Sequence, residues 1–177
     1  FFSNVVHPST IQPAVRKKIP VLVKNTRSPQ GAFSKITADL EQTGLRAIAG
    51  KKNITLVTIE SSRMLNAYGF LSRIFSIFEK YRTPVDLIAT SEVSVSMTID
   101  NAKKIGEIGE ELKELGSFSA ESDKSIICLV GQDFWKDTSY IARVFTALKG
   151  LPVRMVSLGS SDINLSLVVP QEDMEEA

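Results

Sequence analysis

The side chains of this sequence best suited to chemistry are grouped around one glycine and one carboxylate. The stretch "GFLSRIFSIFEK" opens with Gly69 and carries a periodic apolar pattern, and Asp86 follows in the otherwise apolar run "VDLIA". A helix start leaves amide N–H groups without partners and carries the positive end of the helix dipole, so amides near Gly69, Phe70 and Leu71 can hold a carboxylate. Glycine leaves room for a ligand to come close. Asp86, on the strand expected after that helix, can pair with an ammonium group. Together the two features suit a zwitterionic amino acid. The same residues also fit an ordinary helix start and an exposed aspartate at a strand edge, and spacing alone leaves both readings open.

Other chemistry is poorly served. One histidine, His7, and one cysteine, Cys128, cannot build the usual Cys/His zinc site. No Ser-His-Asp or Cys-His set assembles, because His7 lies in a different segment from every plausible nucleophile. "HPST" reads more simply as a turn or helix start, with Pro8 tolerated in the first turn. "GLRAIAGKK", residues 44–52, fails as a phosphate loop: five residues separate its glycines, and Lys51 is followed by Lys52 rather than Ser or Thr. No catalytic residue, metal ligand or cofactor is assigned to these 177 residues.

The elements that would position Gly69 and Asp86 can be traced from periodicity. Residues 10–18 suit a short helix and 19–23 a buried strand, after which "NTRSPQG" is a linker by composition. A short strand is expected at 33–37 and another at 54–59, with "LEQTGLRAIAGKKN" leading into it. Phe70, Leu71, Ile74, Phe75 and Phe78 share a helix face, Gly69 opens that helix and Pro84 bars its continuation. A strand follows at 85–89. Val93, Val95, Met97 and Ile99 alternate with Ser94, Ser96, Thr98 and Asp100, which predicts a strand with one dry and one wet face. A helix over 102–115 stops at Gly116.

From residue 125 the order starts again, as "SIICLVG", "SYIARVFTALKG", "LPVRMVSLG" and "DINLSLVV". The two helices superpose without gaps at an offset of about 70 residues, Phe70, Leu71, Arg73, Ile74 and Phe75 meeting Tyr140, Ile141, Arg143, Val144 and Phe145. Val85 and Val153 match within a couple of residues of that offset. Such an internal repeat of βαββ units predicts two copies of one small α+β domain, antiparallel sheets with helices on one face.

Bulk composition agrees with a folded chain. With 43% apolar residues the sequence can bury a core, as one domain or two small ones. Lys and Arg number 21 against 20 Asp and Glu and are scattered, so nucleic acid is not an expected partner. No run approaches the roughly 20 apolar residues of a membrane span, and no signal pattern opens the chain. The single cysteine excludes an intrachain disulfide, and its apolar run at 126–130 predicts a buried, inert thiol in a reducing cytoplasm.

The pieces "AIAGKKNITLVTIESSRML", "GFL", "VDLIATSEVSVSMTID" and "SLGSSDINLSLVV" resemble the C-terminal regulatory region of aspartate kinase, the family that phosphorylates aspartate at the start of lysine, threonine and methionine synthesis. "HPSTIQPAVRKKIPVLVKNT" is similar to the junction where that family's catalytic lobe ends. Phe2, Ser3 and Asn4 stand where the family has Gly, Ala and Lys, so nucleotide contacts attributed to that lysine do not carry over to Asn4.

The resemblance implies two ferredoxin-like βαββαβ ACT domains. Residues 1–30 would be the junction and linker, 31–48 a linker whose strand at 33–37 completes the second domain, 49–122 the effector-binding first domain and 123–177 a structural second domain. It implies an effector, L-lysine ahead of L-threonine, held between first domains of two subunits by Met64, Ala67, Gly69, Phe70, Leu71, Val85, Asp86, Ser91 and Glu92. Pro84 and Ala67 stand where lysine-sensitive members carry serines. It also implies a homodimer, with ATP and magnesium held by a catalytic lobe that lies outside these residues, so this region alone is expected not to phosphorylate aspartate. A stand-alone ACT protein, sensing an amino acid or only dimerising, is the alternative.

Overall fold

In the computed structural model the described residues are 6, 8–37, 44–132, 136–159 and 163–177. The expectations attached to His7 and to residues 2–4 lie outside them. The chain divides into two compact units, 1–43 and 44–177. In the first, α1 (Pro8–Arg16) is followed by β1 (Val21–Val23), which pairs antiparallel with β2 (Ser34–Ile36). An Asn25 side chain accepts from the Arg27 amide at 2.9 Å, the local turn bond expected of "NTRSPQG".

The second unit holds the repeats. Its elements are β3 (Gly44–Glu60), a 3-10 turn at Ser62–Met64, α2 (Phe70–Lys80), β4 (Ile88–Thr90), β5 (Ser94–Ile99), α3 (Ile105–Lys113), β6 (Ser117–Gln132), α4 (Thr138–Ala147), β7 (Met155–Leu158) and β8 (Asn164–Pro170). They form one antiparallel sheet in the order β4-β5-β3-β6-β8-β7.

Two long strands tie the repeats together. Residues 55–60 of β3 pair with β5 on one side and residues 54–60 with 117–124 of β6 on the other, while residues 126–130 of β6 pair with β8 and with 47–51 of β3. Each long strand is therefore the first strand of one repeat and the last of the other. The changeover falls at a register shift between Lys51 and Ile54, where Asn53 and Asp123 both take positive φ, 61° and 54°. This corrects the expectation for residues 33–37: Ser34–Ile36 pairs with β1, and the strand that completes the second repeat is the first half of β3. The boundaries expected at 48–49 and 122–123 both fall inside continuous strands.

Three cores follow from strand alternation. Val57, Ile59, Val95, Met97 and Ile99 pack against Phe70, Ile74 and Phe78 of α2 and Ile108 and Leu112 of α3. Full burial of side chains this size is worth roughly 1.5–3 kcal/mol each, enough to hold α2 on the sheet. Ile127, Leu129, Leu165, Leu167 and Val169 form the matching core beside α4, with Tyr140 and Val144 packed on it. The opposite faces of both repeats share a third core of Ile54, Leu56, Ile126, Met155 and Val168.

That third core changes the reading of β5. Its polar face is only partly wet: Asp100 is exposed and Ser94 and Ser96 are half-buried, but Thr98 is fully buried and its hydroxyl accepts from the Leu87 amide at 3.0 Å, and Ser96 shares a 3.1 Å hydrogen bond with Thr58. Cys128 likewise is half-buried rather than fully enclosed.

Candidate functional site

Gly69 stands at the N-cap of α2 in the left-handed conformation, φ 76°, and no side chain caps the helix. A Cβ added there would meet nothing within 4 Å, so the space over the first-turn amides is open. The positive φ is what selects glycine at this point. Beside it the surface is apolar: Leu65, Tyr68, Leu71 and Val93 are exposed, and Tyr68 is fully so. The loop that carries Met64 and Ala67 is tied to this end by the Ser61 amide, which donates to the Val93 carbonyl at 2.8 Å.

Ser91 and Glu92 sit at the same end, in the turn joining β4 to β5. The Ser91 hydroxyl accepts from the Ser94 amide at 3.0 Å and lies 2.7 Å from the Ser94 hydroxyl, so its first role is to hold that turn. Glu92 is exposed at the tip. Met64 is partly buried against the helix-side core, and Phe70 is buried in it.

Asp86 is elsewhere. Its amide donates to the Thr98 carbonyl at 2.9 Å, which places it at the start of β4 and beside the end of β5. An 11-residue helix separates it from Gly69. At 1.5 Å per residue that is roughly 16 Å, so in one chain the helix start and the carboxylate cannot hold the two ends of one small amino acid. The residues expected as a single site therefore fall into two groups: Met64, Ala67, Gly69, Phe70, Leu71, Ser91 and Glu92 at one end of the sheet, Val85 and Asp86 at the other.

Two residues that sequence reasoning passed over surround Asp86. Lys51 Nζ donates to Asp86 Oδ2 at 3.0 Å and also to Asp100 Oδ2. Burial pushes the Asp86 carboxyl above its ordinary value, helped by its hydrogen bond with Asp100 and opposed by Lys51. Burial pushes Asp100 upward as well, but its hydrogen bonds with Lys51 and Asp86 outweigh that and hold it below the usual carboxylate range. For Lys51, burial works against the ammonium and is overcome by the bonds to Asp100 and Asp86, leaving its pKa raised. Lys51 lay in the stretch dismissed as a phosphate loop, and Asp100 in the last position of an alternating strand. Extending the repeat offset of 70 to Lys51 would have flagged it, because the match is Glu121, a reversed charge.

The second repeat repeats the geometry without the chemistry. The Arg154 amide donates to the Val168 carbonyl at 2.8 Å, as Asp86 does to Thr98, and the Arg154 side chain pairs with Glu121. Its helix start is already occupied, since the Asp137 side chain accepts from the Ser139 amide at 2.9 Å. A cavity of about 500 Å³ lies between α4 and the sheet, lined mainly by apolar side chains such as Leu45, Ile48, Ile127, Leu129 and Leu167 together with Tyr140, Arg143 and Thr146, and among the described residues no acidic side chain lines it that could pair with an ammonium. It does not suit a zwitterion. Among the described residues no group of His, Cys, Asp and Glu could hold a metal ion, and no helix is long and apolar enough to cross a membrane.

Two fused βαββ repeats sharing one antiparallel sheet, one with an open helix start and one with a capped one, define a tandem α+β module of the ACT type. The ACT domain pattern matches residues 57–105 and 127–177. The chain is 36% identical to the chloroplastic aspartokinase 3 of Arabidopsis thaliana over 188 residues, 99% of this chain and 34% of that one. It is 35% identical to lysine-sensitive aspartokinase 3 of Escherichia coli, covering 99% of this chain and 41% of that one. The solved structure of E. coli aspartokinase III with lysine and aspartate in the T-state superposes with a TM-score of 0.84 at 35% identity, covering 97% of this chain and 40% of the other. The chain belongs to the ACT-domain family, as the tandem regulatory region of the aspartokinases, and it spans about a third to two fifths of the length of these relatives.

Proposed function

We propose that this chain is the effector-sensing region of an aspartate kinase, and that L-lysine binds between first repeats of two copies to restrain phosphorylation of aspartate. The observation that carries the reading is the division of the site. Gly69 offers open amides at one end of the repeat and Asp86 offers a carboxylate at the other, with the edge strand β4 running between the two levels. An antiparallel two-fold pairing of β4 with its copy brings the start of one strand beside the end of the other. In that pairing the helix start of one subunit is expected to face the partner's Asp86. The exposed Leu65, Tyr68, Leu71 and Val93 supply apolar surface that association would cover.

Lysine is the first choice because the E. coli relative is described as lysine-sensitive and its T-state structure holds lysine with aspartate. L-threonine is the second, since Ala67 and Pro84 stand where lysine-sensitive members carry serines. ATP, magnesium and the phosphoryl transfer itself belong to a catalytic lobe outside these residues, and the purified chain is expected to form no aspartyl phosphate. A stand-alone sensing or dimerising ACT protein remains the competing reading, and a kinase lobe encoded upstream of Phe1 would decide against it. The test of the site is isothermal titration of the chain with L-lysine and with L-threonine, alongside sedimentation of the free and saturated protein. Binding to a dimer at one ligand or more per two-fold is expected. A strictly monomeric species, or no heat with either amino acid, would reject the site.

A further inference from the structure

We propose that Lys51 is an internal occupant of the ammonium site formed by Asp86 and Asp100, and that an effector binds by displacing it. The inference rests on the reading of Asp86 as the effector's ammonium partner and adds what must happen for that partner to become free. The Lys51 ammonium is chemically the group that the effector would present, and it already bonds both carboxylates, Asp86 at 3.0 Å. Two carboxylates against one ammonium leave the cluster with a surplus of negative charge, so it attracts a second cation while holding the first.

Lys51 is built to leave. Its side chain is about one third exposed, 30%, and it rises from the last residue of β3 paired with β6 before the register shift, Lys51 opposite Ile126. The long stem can carry the ammonium into water without disturbing either core. While Lys51 is seated, only the fraction of molecules with Asp86 uncovered is competent, and the apparent dissociation constant of the effector is raised by the inverse of that fraction. Lys51 also stands where β3 passes from one repeat to the other, so its release acts on the strand that the two repeats share.

The second repeat supplies the contrast. At matching positions Glu121 and Arg154 form the same pair with the charges exchanged, and Lys124 adds a further cation 3.3 Å from Glu121. That cluster has a surplus of positive charge and nothing to offer an ammonium. The pair there is structural only, whereas the Lys51 pair guards a carboxylate.

The experiment uses the full 177-residue chain. L-lysine is titrated calorimetrically into the wild type, Lys51→Met, Lys51→Arg and Asp86→Asn, and the side-chain NH3+ resonance of Lys51, assigned by its loss in Lys51→Arg as well as in Lys51→Met, is followed in the wild type by NMR. Lys51→Met should bind about tenfold more tightly, as expected when a competitor that occupies the site most of the time is removed. Lys51→Arg, whose planar fork grips carboxylates more firmly, should bind more weakly than wild type. The hydrogen-bonded NH3+ signal should disappear at saturation. Persistence of that signal in the saturated wild type rejects displacement even if Lys51→Met does not fold, and unchanged or weaker binding by a folded Lys51→Met rejects it too. If the wild type binds no L-lysine, or Asp86→Asn binds as well as wild type, the effector site itself is misplaced and the displacement falls with it; normal binding with a seated Lys51 sinks the displacement alone.

Discussion

Asp86 and Arg154 occupy matching places in the two repeats, each with its amide bonded to the last part of the neighbouring strand and its side chain closed on a residue of a long strand. Removing Asp86 takes away the partner of a ligand ammonium at a partly desolvated interface, so Asp86→Ala should weaken effector binding by roughly 2–5 kcal/mol in calorimetry. Arg154→Ala should leave that affinity almost unchanged, and equal losses would mean that the wrong repeat has been assigned. The proton affinities of the cluster are a separate check. Asp86 is raised by burial and by Asp100, while Asp100 is held down by Lys51 and Asp86 against its own burial, so in an NMR titration Asp86 should take up its proton at the higher pH. The stability that Asp100 contributes is present above the ordinary carboxylate pKa and is lost as pH falls through its lowered folded value. Asp86 works in the opposite sense: stability declines as pH rises from the ordinary value through its raised one. Lys51→Met should move both titrations upward.

At the scale of elements, the controlling features are the long strands and the way helices end against them. Gly116 lies between α3 and β6, and its amide donates to the Leu112 carbonyl at 3.2 Å. A Cβ there would overlap the Glu60 carbonyl oxygen and its backbone carbon, atoms fixed by the β3–β6 ladder rather than by a movable side chain. Gly116→Ala should therefore lower the unfolding free energy by about 1–3 kcal/mol, the usual cost of forcing atoms into a closed space, measured by urea denaturation. An unaltered midpoint would show that the end of β3 shifts freely. The contrasting helix starts belong to this scale too. α2 has no side-chain cap at Gly69, whereas α4 is capped by Asp137, whose hydrogen bonds with Ser139 hold its carboxyl below the usual range, so a carboxylate already stands at the second helix start and none caps the first.

For the whole molecule, the edges of the six-stranded sheet decide what can associate. β4 and β7 are the outer strands, and β4 is only three residues long with Ile88 and Thr90 exposed. If two copies meet along β4, a charge at Ile88 places like charges close together across the two-fold. Ile88→Lys should shift sedimentation toward monomer at micromolar protein and weaken effector binding in parallel, while the melting temperature of the monomer stays near wild type. Loss of the dimer with undiminished L-lysine affinity would place the site within one copy, against the roughly 16 Å that an 11-residue helix puts between Gly69 and Asp86.

Periodicity alone was enough for the helices, for β5, β7 and β8, and for the duplication, because apolar spacing is a local property and the core-facing residues of both repeats obey it. It also marked Asp86 and the Gly69 helix start, since a carboxylate in an apolar run and a glycine before a helix are visible without partners. The first half of β3 and the first half of β6 were hidden: "GLRAIAGKK" is broken by glycines and lysines and "SFSAESDK" is largely polar, and each is held as a strand by the apolar second half of the other long strand, 126–132 beside the first and 54–60 beside the second. Pairing likewise decided that 34–36 joins β1 instead of the second repeat, and that Thr98 on the polar face of β5 is buried beneath the Leu87 segment. Lys51 and Asp100 are 49 residues apart. Their meeting at Asp86 depends on strand register and a bulge, quantities set by hydrogen bonds between distant segments, and for that reason only the tertiary structure could reveal that the candidate ammonium site already holds an ammonium.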